Sequence, residues 1–452
     1  QTFVAEDMRT MMNVGWQTAP RVQQSSIQYK KESEPEKSIT EDALSEVQVI
    51  QNAKIGPLGE IKFHKAFIAG LEPGTKYLYR VGSEGHWSTW YDFMTAGPAE
   101  DKPISFVFVT DSHTKGDNGL EAYQQLLTDA LTRYPNTQFI MHGGDMVDDG
   151  QFLEEWTQFW KASSIYASSI PSGYAMGNHD VKSEGKEVFA KGLELPKNGP
   201  DFMNEYAYSF DTGEVHFTVL NTEADDVNTA KQAEWLREDI QKSNKKWKIV
   251  MFHKPTYHTE AGRGDHSELS QIYFAPVLEE LGVDLVLVGH DHVYAHTYPM
   301  KQGKPLNNGE RGTVYLNGGA AGWKFYDGTK YDYLDFIYDV DVPLYTAIQV
   351  SHDRISIQAR TTESEDLIDD YSIEKLDAAV TSVSVSPTTA SVAQGSTQQL
   401  TATVTAAGGA NPTVTWTSSN SKVAVAANGL VTVVADAAPG DYTVTATSTF
   451  DS

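Results

Sequence analysis

The stretch Val283-Asp284-Leu285-Val286-Leu287-Val288-Gly289-His290-Asp291-His292 decides how the rest of the chain is interpreted. Its first six residues are mostly apolar and predict a buried strand. The two histidines lie directly after that strand and two residues apart, so both can point into one site at the strand's end. Imidazole is the commonest side-chain ligand of metal ions. One such pair is weak evidence, because histidine also fills structural roles, and a metal site needs partners from other strand ends.

Four further predicted strands in the same region are also followed by polar side chains. These are Asp111-Ser112-His113 after residues 104–110, Gly143-Gly144-Asp145 after residues 137–141, Gly177-Asn178-His179-Asp180 after residues 174–176, and His253 after residues 247–252. Ligands gather at the carboxyl ends of strands in open α/β sheets. Each piece alone can be a turn, a loop or a core histidine, but five together predict a shared metal site.

Composition narrows the possible partners. The 452 residues carry a net charge of -26, which argues against nucleic acid as a partner because binding it relies on basic groups. The chain contains no cysteine, so disulfides, thiolate metal sites and cysteine nucleophiles are excluded. No apolar run reaches the ~18 residues of a membrane-spanning helix, so we expect no transmembrane segment.

Pattern and composition divide the chain into four parts. Residues 1–98 have short alternating strands and turn signals, which favour an antiparallel β-sandwich. Residues 103–362 alternate strands with helices and predict a layered α/β domain, with a helix at 267–281 among its elements. The acidic segment 363–379 lacks clear periodicity and is predicted to be a linker. Residues 380–452 are rich in Ser, Thr, Ala, Val and Gly and predict a second all-β domain.

The middle domain resembles the calcineurin-like metallophosphoesterase superfamily. The resemblance rests on the motif order Asp-x-His, Gly-Asp, Gly-Asn-His-Asp, His and Gly-His-x-His, and it extends from residue 104 to about residue 360. It implies a four-layer α/β/β/α sandwich. Together with the N-terminal domain, the architecture is most similar to that of purple acid phosphatases.

The flanking domains resemble known β modules. Leu71-Glu72-Pro73-Gly74-Thr75 and the strand that follows it resemble the fibronectin-like N-terminal domain of purple acid phosphatases. Trp416-x-Ser418-Ser419 and Asn428-Gly429-Leu430-Val431 resemble the bacterial Ig-like group 2 domain. The expected fold class is therefore multidomain α/β plus all-β, with the central sandwich flanked by two β-sandwich domains.

The resemblance also implies a set of site residues. The first metal would be held by Asp111, His113 and His292, the second by Asn178, His253 and His290, and Asp145 would bridge the two. His179 matches a histidine that contacts phosphate and assists the leaving group, so His179 and Asp145 are the predicted catalytic residues. His258, Arg263 and His266 lie in a loop that can line the substrate mouth or face solvent, and with Asn178 and His179 they complete the predicted substrate-binding set. His142 and Asp180 can orient ligands from outside, although simple packing suits His142.

The ligand types restrict the metals and the reaction. Imidazole, carboxylate and amide ligands without thiolate suit two divalent or trivalent ions, with Mn, Fe or Zn expected before Ni or Ca. Two such ions generate a bridging hydroxide that attacks phosphorus directly, so no phosphoenzyme is expected. The predicted function is hydrolysis of phosphomonoesters. Two alternatives stay open: a phosphodiesterase, and a non-catalytic surface-binding protein with a hydrolase-like core.

Two departures from the purple enzymes concern the metals. Asp148 stands where their iron-binding tyrosine lies, and His113 stands where their first motif has glycine. The metal pair is therefore expected to lack a tyrosinate ligand and its colour. The substrates of these relatives are not carried over to this chain, because His296 lies where they tend to have Glu-Arg.

The expected partners and location follow from the same resemblances. The substrate is a small phosphate ester. The Ig-like domain implies an extracellular, secreted or cell-surface location in a bacterium, and it either contacts cell-wall or surface polysaccharide or serves as an inert spacer.

Overall fold

The computed structural model describes residues 1–52, 56–97, 103–307, 310–362, 364, 367–408 and 410–450. The chain divides into two compact units, Gln1–Ile373 and Glu374–Ser452. The short connection expected between residues 98 and 103 falls mainly on residues 98–102, outside the described residues.

Nine strands at the start of the larger unit form the predicted β-sandwich. They are β1 Thr2–Phe3, β2 Met11–Thr18, β3 Ser26–Lys31, β4 Ile39–Asp42, β5 Leu44–Asn52, β6 Gly56–Ala69, β7 Lys76–Ser83, β8 His86–Trp87 and β9 Tyr91–Met94. One sheet contains β2, β6 and β5, and the other has the order β4-β3-β7-β8 with β9 paired to β7. Met12, Ile27 and Phe93 are among the buried side chains of the core that both sheets share.

The rest of the larger unit alternates strands and helices. Its strands are β10 Ile104–Val109, β11 Phe139–His142, β12 Ser172–Tyr174, β13 Tyr208–Thr212, β14 Val215–Val219, β15 Trp247–Met251, β16 Leu285–Val288, β17 Tyr294–Thr297, β18 Met300–Lys301, β19 Lys304–Pro305, β20 Val314–Gly318, β21 Leu334–Tyr338, β22 Leu344–Val350, β23 Arg354–Thr361 and β24 Leu367–Glu374. Its helices are α1 Gly116–Arg133, α2 Leu153–Ser163, α3 Gly185–Gly192, α4 Asp226–Lys242, α5 Gly264–Leu269 and α6 Ala275–Glu280, with a 3-10 turn at Asp201–Met203 and a π-helix at Ser270–Phe274.

Two large sheets carry this unit. The first has ten strands in the order β24-β23-β22-β10-β11-β12-β1-β2-β6-β5, and the second has seven in the order β13-β14-β15-β16-β20-β17-β21. In the first sheet β1 pairs in parallel with β12, placing Phe3 opposite Ser172. One sheet of the N-terminal sandwich therefore continues directly into the α/β domain, which joins the two predicted domains in one compact unit.

Strand β16 shows why the domain has four layers. Leu285 and Leu287 point into the core between the two sheets, where Phe106 of the first sheet meets Phe217 of the second at 5.4 Å between ring centroids. Val286 and Val288 point the other way, into a second core that includes side chains of α4 and α6. A strand buried on both faces is apolar throughout, as its sequence indicated. Helix α1 contacts β22 of the first sheet and α2 packs against α1, and the expected α/β/β/α order is confirmed.

The segment predicted as a linker at residues 363–379 is instead partly structural, and that prediction is wrong for β24. This strand forms the edge of the ten-stranded sheet. Ile368, Tyr371 and Ile373 pack against the main core, and Asp369 accepts a hydrogen bond of 2.7 Å from the hydroxyl of Tyr294. The sequence pattern did not indicate this half-buried strand because the segment is acidic. A strand at a sheet edge exposes much of its length to water and therefore tolerates charged side chains.

The helix predicted at residues 267–281 occupies that region in three pieces. The sequence runs from α5 through the π-helix into α6, whose first turn contains Pro276. Proline lacks the backbone N–H that a continuous helix would use at that point, so the hydrogen-bond pattern changes there.

The smaller unit is all-β. Its strands are β25 Ala379–Ser386, β26 Thr397–Gln399, β27 Thr401–Ala407, β28 Val414–Ser418, β29 Val423–Val425, β30 Leu430–Val433 and β31 Val444–Ser448. They pair as β25-β27, β26-β30-β29 and β28-β31 around a small core containing Leu400, Val431 and Val433. Across the described part of both units, no helix combines the length and apolar character that crossing a membrane requires.

Candidate metal centre

The strand ends turn sharply to bring the predicted ligands together. Eight described residues other than glycine have positive φ, and five of them are predicted ligands. These are Asp111 at 55°, His113 at 41°, Asp145 at 53°, His290 at 74° and His292 at 58°. Positive φ is unfavourable for residues with a side chain and is concentrated at functional sites. The backbone strain therefore lies where the ligands are.

Two glycines give these turns room to approach each other. A β-carbon on Gly177 would lie 2.2 Å from Oδ1 of Asp145, and one on Gly289 would lie 2.0 Å from Oγ1 of Thr110. Both distances are far shorter than real contacts, so a side chain at either position would push a ligand loop away. The glycine of each motif is thus a packing requirement of the site.

The first ligand set contains Asp111, His113, Asp145 and His292, all buried. Nε2 of His292 lies 3.1 Å from Oδ1 of Asp111 and 3.1 Å from Nε2 of His113. Nε2 of His113 lies 3.6 Å from Oδ2 of Asp145. Nitrogen and oxygen atoms that could each bind an ion face one common point.

The second ligand set contains Asp145, His253 and His290. Nε2 of His253 lies 3.3 Å from Oδ2 of Asp145 and 3.2 Å from Nδ1 of His290. Oδ1 of Asn178 is 3.3 Å from the same His253 nitrogen. Asp145 belongs to both sets, so its carboxylate lies between two adjacent places for an ion.

The donor atoms fit metal ions. Oδ1 of Asp111 and Nδ1 of His113 are buried and have no hydrogen-bond partner among the described residues. A buried polar atom without a partner is costly, and a cation would satisfy the Asp111 oxygen. Oxygen and imidazole nitrogen donors without sulfur suit Mn²⁺, Fe and Zn²⁺.

Protons compete with metal ions for these atoms. Burial opposes ionisation of Asp145, but the neighbouring charges of His253 and His113 hold the pKa of its carboxyl well below the usual range. Burial lowers the pKa of His253, while the carboxylate of Asp145 outweighs burial and raises that pKa to about 10. Metal ligands must be deprotonated, so binding a cation here releases the His253 proton and keeps the carboxylates paired with positive charge.

Asp180 holds two of the ligand loops. Its Oδ2 accepts hydrogen bonds of 2.9 Å from the backbone N–H groups of Asp145 and Gly177. Its Oδ1 accepts from Met146 at 2.9 Å and from Val147 at 3.3 Å. The carboxylate thus fixes the backbone on both sides of the shared ligand, which matches its predicted orienting role.

His179 lies beside the first ligand set, between acidic and basic groups. Its backbone N–H donates to Oδ1 of Asp145 at 2.7 Å, and Oδ1 of Asp148 lies 3.7 Å from its Nδ1. Its Nδ1 lies within hydrogen-bond distance of the backbone oxygen of Asp148. Lys182 Nζ lies 2.8 Å from Nδ1, and Lys324 Nζ lies 3.4 Å from Nε2. Burial is the main factor that lowers the pKa of His179, with a further contribution from Lys324.

The three residues predicted at the substrate mouth separate in the structure. Nδ1 of His266 lies 2.7 Å from Nε2 of His290, and Nη1 of Arg263 donates to the backbone oxygen of His290 at 2.7 Å. His258 instead packs its ring against Tyr331 at 5.0 Å, and no described contact joins it to a ligand. Arg263 and His266 are therefore brought to the site, and His258 is not.

Sequence reasoning missed the loop after β20. The backbone oxygen of Lys324 accepts a hydrogen bond of 2.6 Å from Nδ1 of His292, and the ring of Tyr326 lies 4.5 Å from that of His292. Trp323 donates from Nε1 to the backbone oxygen of His113 at 3.0 Å. No spacing rule links this loop to the motifs. Its run of aromatic and basic residues is the feature of the sequence that points to a functional loop.

His142 has a structural role. Its Nδ1 accepts from the backbone N–H of Gly144 at 3.2 Å, its Nε2 contacts Oγ of Ser112 at 3.0 Å, and its ring packs edge-on against Phe159 at 5.6 Å. These contacts join β11 to the loop of the first motif without reaching the ligands' donor atoms.

Three family models match separate stretches of the chain. Residues 104–294 match the family model of calcineurin-like phosphoesterases, residues 2–95 that of the purple acid phosphatase N-terminal domain, and residues 379–450 that of the bacterial Ig-like domain, group 2. The resemblances that the sequence motifs indicated are confirmed.

Individual relatives agree with this pattern. The chain is 27% identical over 272 residues to purple acid phosphatase 18 of Arabidopsis thaliana, covering 58% of each chain. It is 27% identical over 274 residues to purple acid phosphatase 21 of the same plant, again covering 58% of each. The chain thus spans less than two thirds of the length of these relatives. A solved purple acid phosphatase from yellow lupin seeds shares its fold, with a TM-score of 0.71, 17% identity, and coverage of 82% of this chain and 73% of that one.

Proposed function

We propose that this chain, whose central domain matches the calcineurin-like phosphoesterase family, is a dinuclear metal-dependent phosphomonoesterase. The observation that carries the proposal is the position of Asp145 in two adjacent ligand sets. One carboxylate between two imidazole-rich sets is the arrangement that holds a metal pair. A single structural ion would need one set.

The residues divide the work of hydrolysis. Asp111, His113 and His292 would hold one ion, Asn178, His253 and His290 the other, and Asp145 would contact both. Bound at these positions, two ions supply an activated water and stabilise negative charge on the phosphoryl oxygens. The water oxygen bonds to phosphorus, the ester P–O bond breaks, and the leaving oxygen takes a proton.

His179 is the residue that would assist the leaving oxygen in taking up that proton. Its Nδ1 contacts the backbone oxygen of Asp148, which fixes the orientation of the ring. Nε2 is then the atom that can hold a proton or a hydrogen bond near the leaving oxygen. Asp180 and the Lys324 carbonyl act by fixing ligand loops and the His292 ring, respectively.

We propose that the two ions are Mn, Fe or Zn and that no tyrosinate binds them. Asp148 occupies the position of the tyrosine ligand of purple relatives, and its Oδ1 lies 3.5 Å from Nδ1 of His113. Tyr326 stacks on His292, but its contact is through the ring. The charge of Asp148 next to His113 supports this ligand by orienting it.

The decisive experiment measures turnover of metal-stripped protein reloaded with single metals. Each reloaded sample is assayed with a panel of phosphomonoesters and phosphodiesters. We expect monoester hydrolysis that depends on the metal and inversion at phosphorus with an isotopically chiral substrate. Retention of configuration would contradict direct attack by water. Diester turnover above monoester turnover would favour the phosphodiesterase alternative, and no turnover with two ions bound would favour the non-catalytic binding protein.

We also propose an extracellular or cell-surface location in a bacterium, supported by the match of residues 379–450 to a bacterial Ig-like domain. Contact with cell-wall polysaccharide is the corresponding proposal for the smaller unit. Fractionation of producing cells tests the location, and cosedimentation of the full chain with purified cell walls tests the contact. A cytoplasmic protein, or one that stays in the supernatant, would contradict the respective proposal.

A further inference from the structure

Two lysines beside His179 lack acidic partners. Lys182 Nζ donates to the backbone oxygen of Asp148 at 2.9 Å and lies 2.8 Å from Nδ1 of His179. Lys324 Nζ lies 3.4 Å from Nε2 of the same ring. Within the part of the chain that the structure describes, no carboxylate oxygen lies within 4.0 Å of either ammonium group.

Other cations around the site are neutralised. Arg263 pairs with Glu260 at 3.1 Å, and Lys254 pairs with Glu223 at 2.9 Å. The carboxylate of Asp148, whose Oδ1 lies 3.7 Å from Nδ1 of His179, is engaged by Lys115. In a chain with a net charge of -26, two unpaired and half-buried ammonium groups on one imidazole are unusual. An anion beside the ring would be attracted by both ammonium groups.

We propose that Lys182 and Lys324 are specificity-determining residues that select phosphomonoester dianions over phosphodiester monoanions. The inference rests on the proposed function and adds the residues that select its substrate class. Both ammonium groups contact the ring of the residue placed at the leaving oxygen, so they lie beside the phosphoryl group during reaction. A monoester presents one more negative charge there than a diester. The added attraction between ammonium and phosphoryl oxygen therefore favours the monoester.

The arrangement of the Lys324 side chain supports a role in charge and not in holding the loops. The ligand-orienting contact of Lys324 is made by its backbone oxygen, which any residue supplies. The Lys182 ammonium group donates to the backbone oxygen of Asp148, which Nδ1 of His179 also contacts. Changing either side chain to glutamine removes the charge and leaves the ligand contacts in place.

The test compares two esters with the same leaving group, 4-nitrophenyl phosphate and methyl 4-nitrophenyl phosphate, at neutral pH. We expect Lys182→Gln and Lys324→Gln each to lower kcat/KM for the monoester about tenfold, and that for the diester less than about threefold. Lys182→Arg and Lys324→Arg keep the charge and should retain most of the preference. Lys301→Gln is the matched control, since Lys301 is exposed and its loss changes the net charge by the same amount.

Binding gives a second readout that is independent of turnover. Calorimetry on metal-loaded protein of verified metal content measures inorganic phosphate against dimethyl phosphate. Phosphate affinity should fall about tenfold in each glutamine variant, whereas dimethyl phosphate affinity should change little. The preference of the unmodified chain should also weaken at high salt, where charges are screened.

The outcomes separate the two proposals. If the metal-loaded chain hydrolyses neither ester, the proposed function fails. If it hydrolyses them but the monoester-to-diester ratio is the same in the glutamine variants and in Lys301→Gln, the selectivity inference fails and the function stands. An equal loss on both esters, with unchanged phosphate affinity, would show a merely structural role and overturn the inference.

Discussion

Replacing Asp180 by asparagine should loosen the centre although Asp180 is not a predicted ligand. Its two oxygens accept four backbone hydrogen bonds, two at each oxygen, from Asp145, Met146, Val147 and Gly177. Asparagine has the same shape, but one oxygen becomes an NH₂ group. In either orientation, two buried N–H donors then face another donor.

The size of the effect follows from that count. Each buried N–H left without an acceptor costs about 1–3 kcal/mol, so Asp180→Asn should lower the free energy of unfolding of the Gln1–Ile373 unit by about 2–6 kcal/mol. Metal affinity should fall about 10- to 100-fold, as for other residues that orient ligands from outside. Both ions should be affected, because the displaced backbone carries the shared ligand Asp145.

The assays are denaturant unfolding of the metal-free chain and competition of the folded chain against a chromogenic chelator. Asp201→Asn is the control, since Asp201 is exposed and the charge change is identical. The control should stay within about 0.5 kcal/mol of the unmodified chain. If Asp180→Asn also stays within that range and binds metal normally, the assignment of Asp180 as the support of these loops is refuted.

Three further predictions address the chemistry and the pH dependence. His179→Ala should lower kcat about 10²–10⁴-fold while both metals stay bound, and turnover that persists at normal metal content would remove His179 from the mechanism. Iron-loaded protein should show no strong tyrosinate charge-transfer band, because Asp148 stands at the tyrosine position; a purple colour would contradict the ligand set. His216 lies 2.7 Å from Asp211 and 3.0 Å from Asp239; burial lowers its pKa, but the two carboxylates outweigh burial and raise that pKa from 6.5 to about 9. Because the folded pKa is the higher one, the protonated ring stabilises the fold fully below about pH 6.5, and the contribution of about 3 kcal/mol is lost as pH rises through about 9. Unfolding measured across that window should show the loss in the unmodified chain and not in His216→Gln, and parallel profiles would contradict it.

Local pattern was enough to find the residues that the structure brings together. Each of the five motifs is a short strand followed within a few residues by carboxylate, amide or imidazole. A window of about ten residues therefore contains the whole pattern. The apolar run Leu285-Val286-Leu287-Val288 indicated a buried strand, and the structure buries it on both faces. Local pattern failed at Leu367–Glu374, where acidic side chains at a sheet edge obscured a strand.

The sequence by itself determined the kinds of donor atom, their order along the chain and the layered fold that carries them. Only the tertiary structure decided which neighbours they meet. His258 and His266 are equally plausible in one loop, yet only His266 reaches His290. Lys182 and Lys324 are 142 positions apart, and they meet on His179 because separate loops converge at the same edge of the two sheets. The physical reason is that side-chain type and periodicity are local properties, whereas distances between loops are set by strand pairing and core packing across the whole unit.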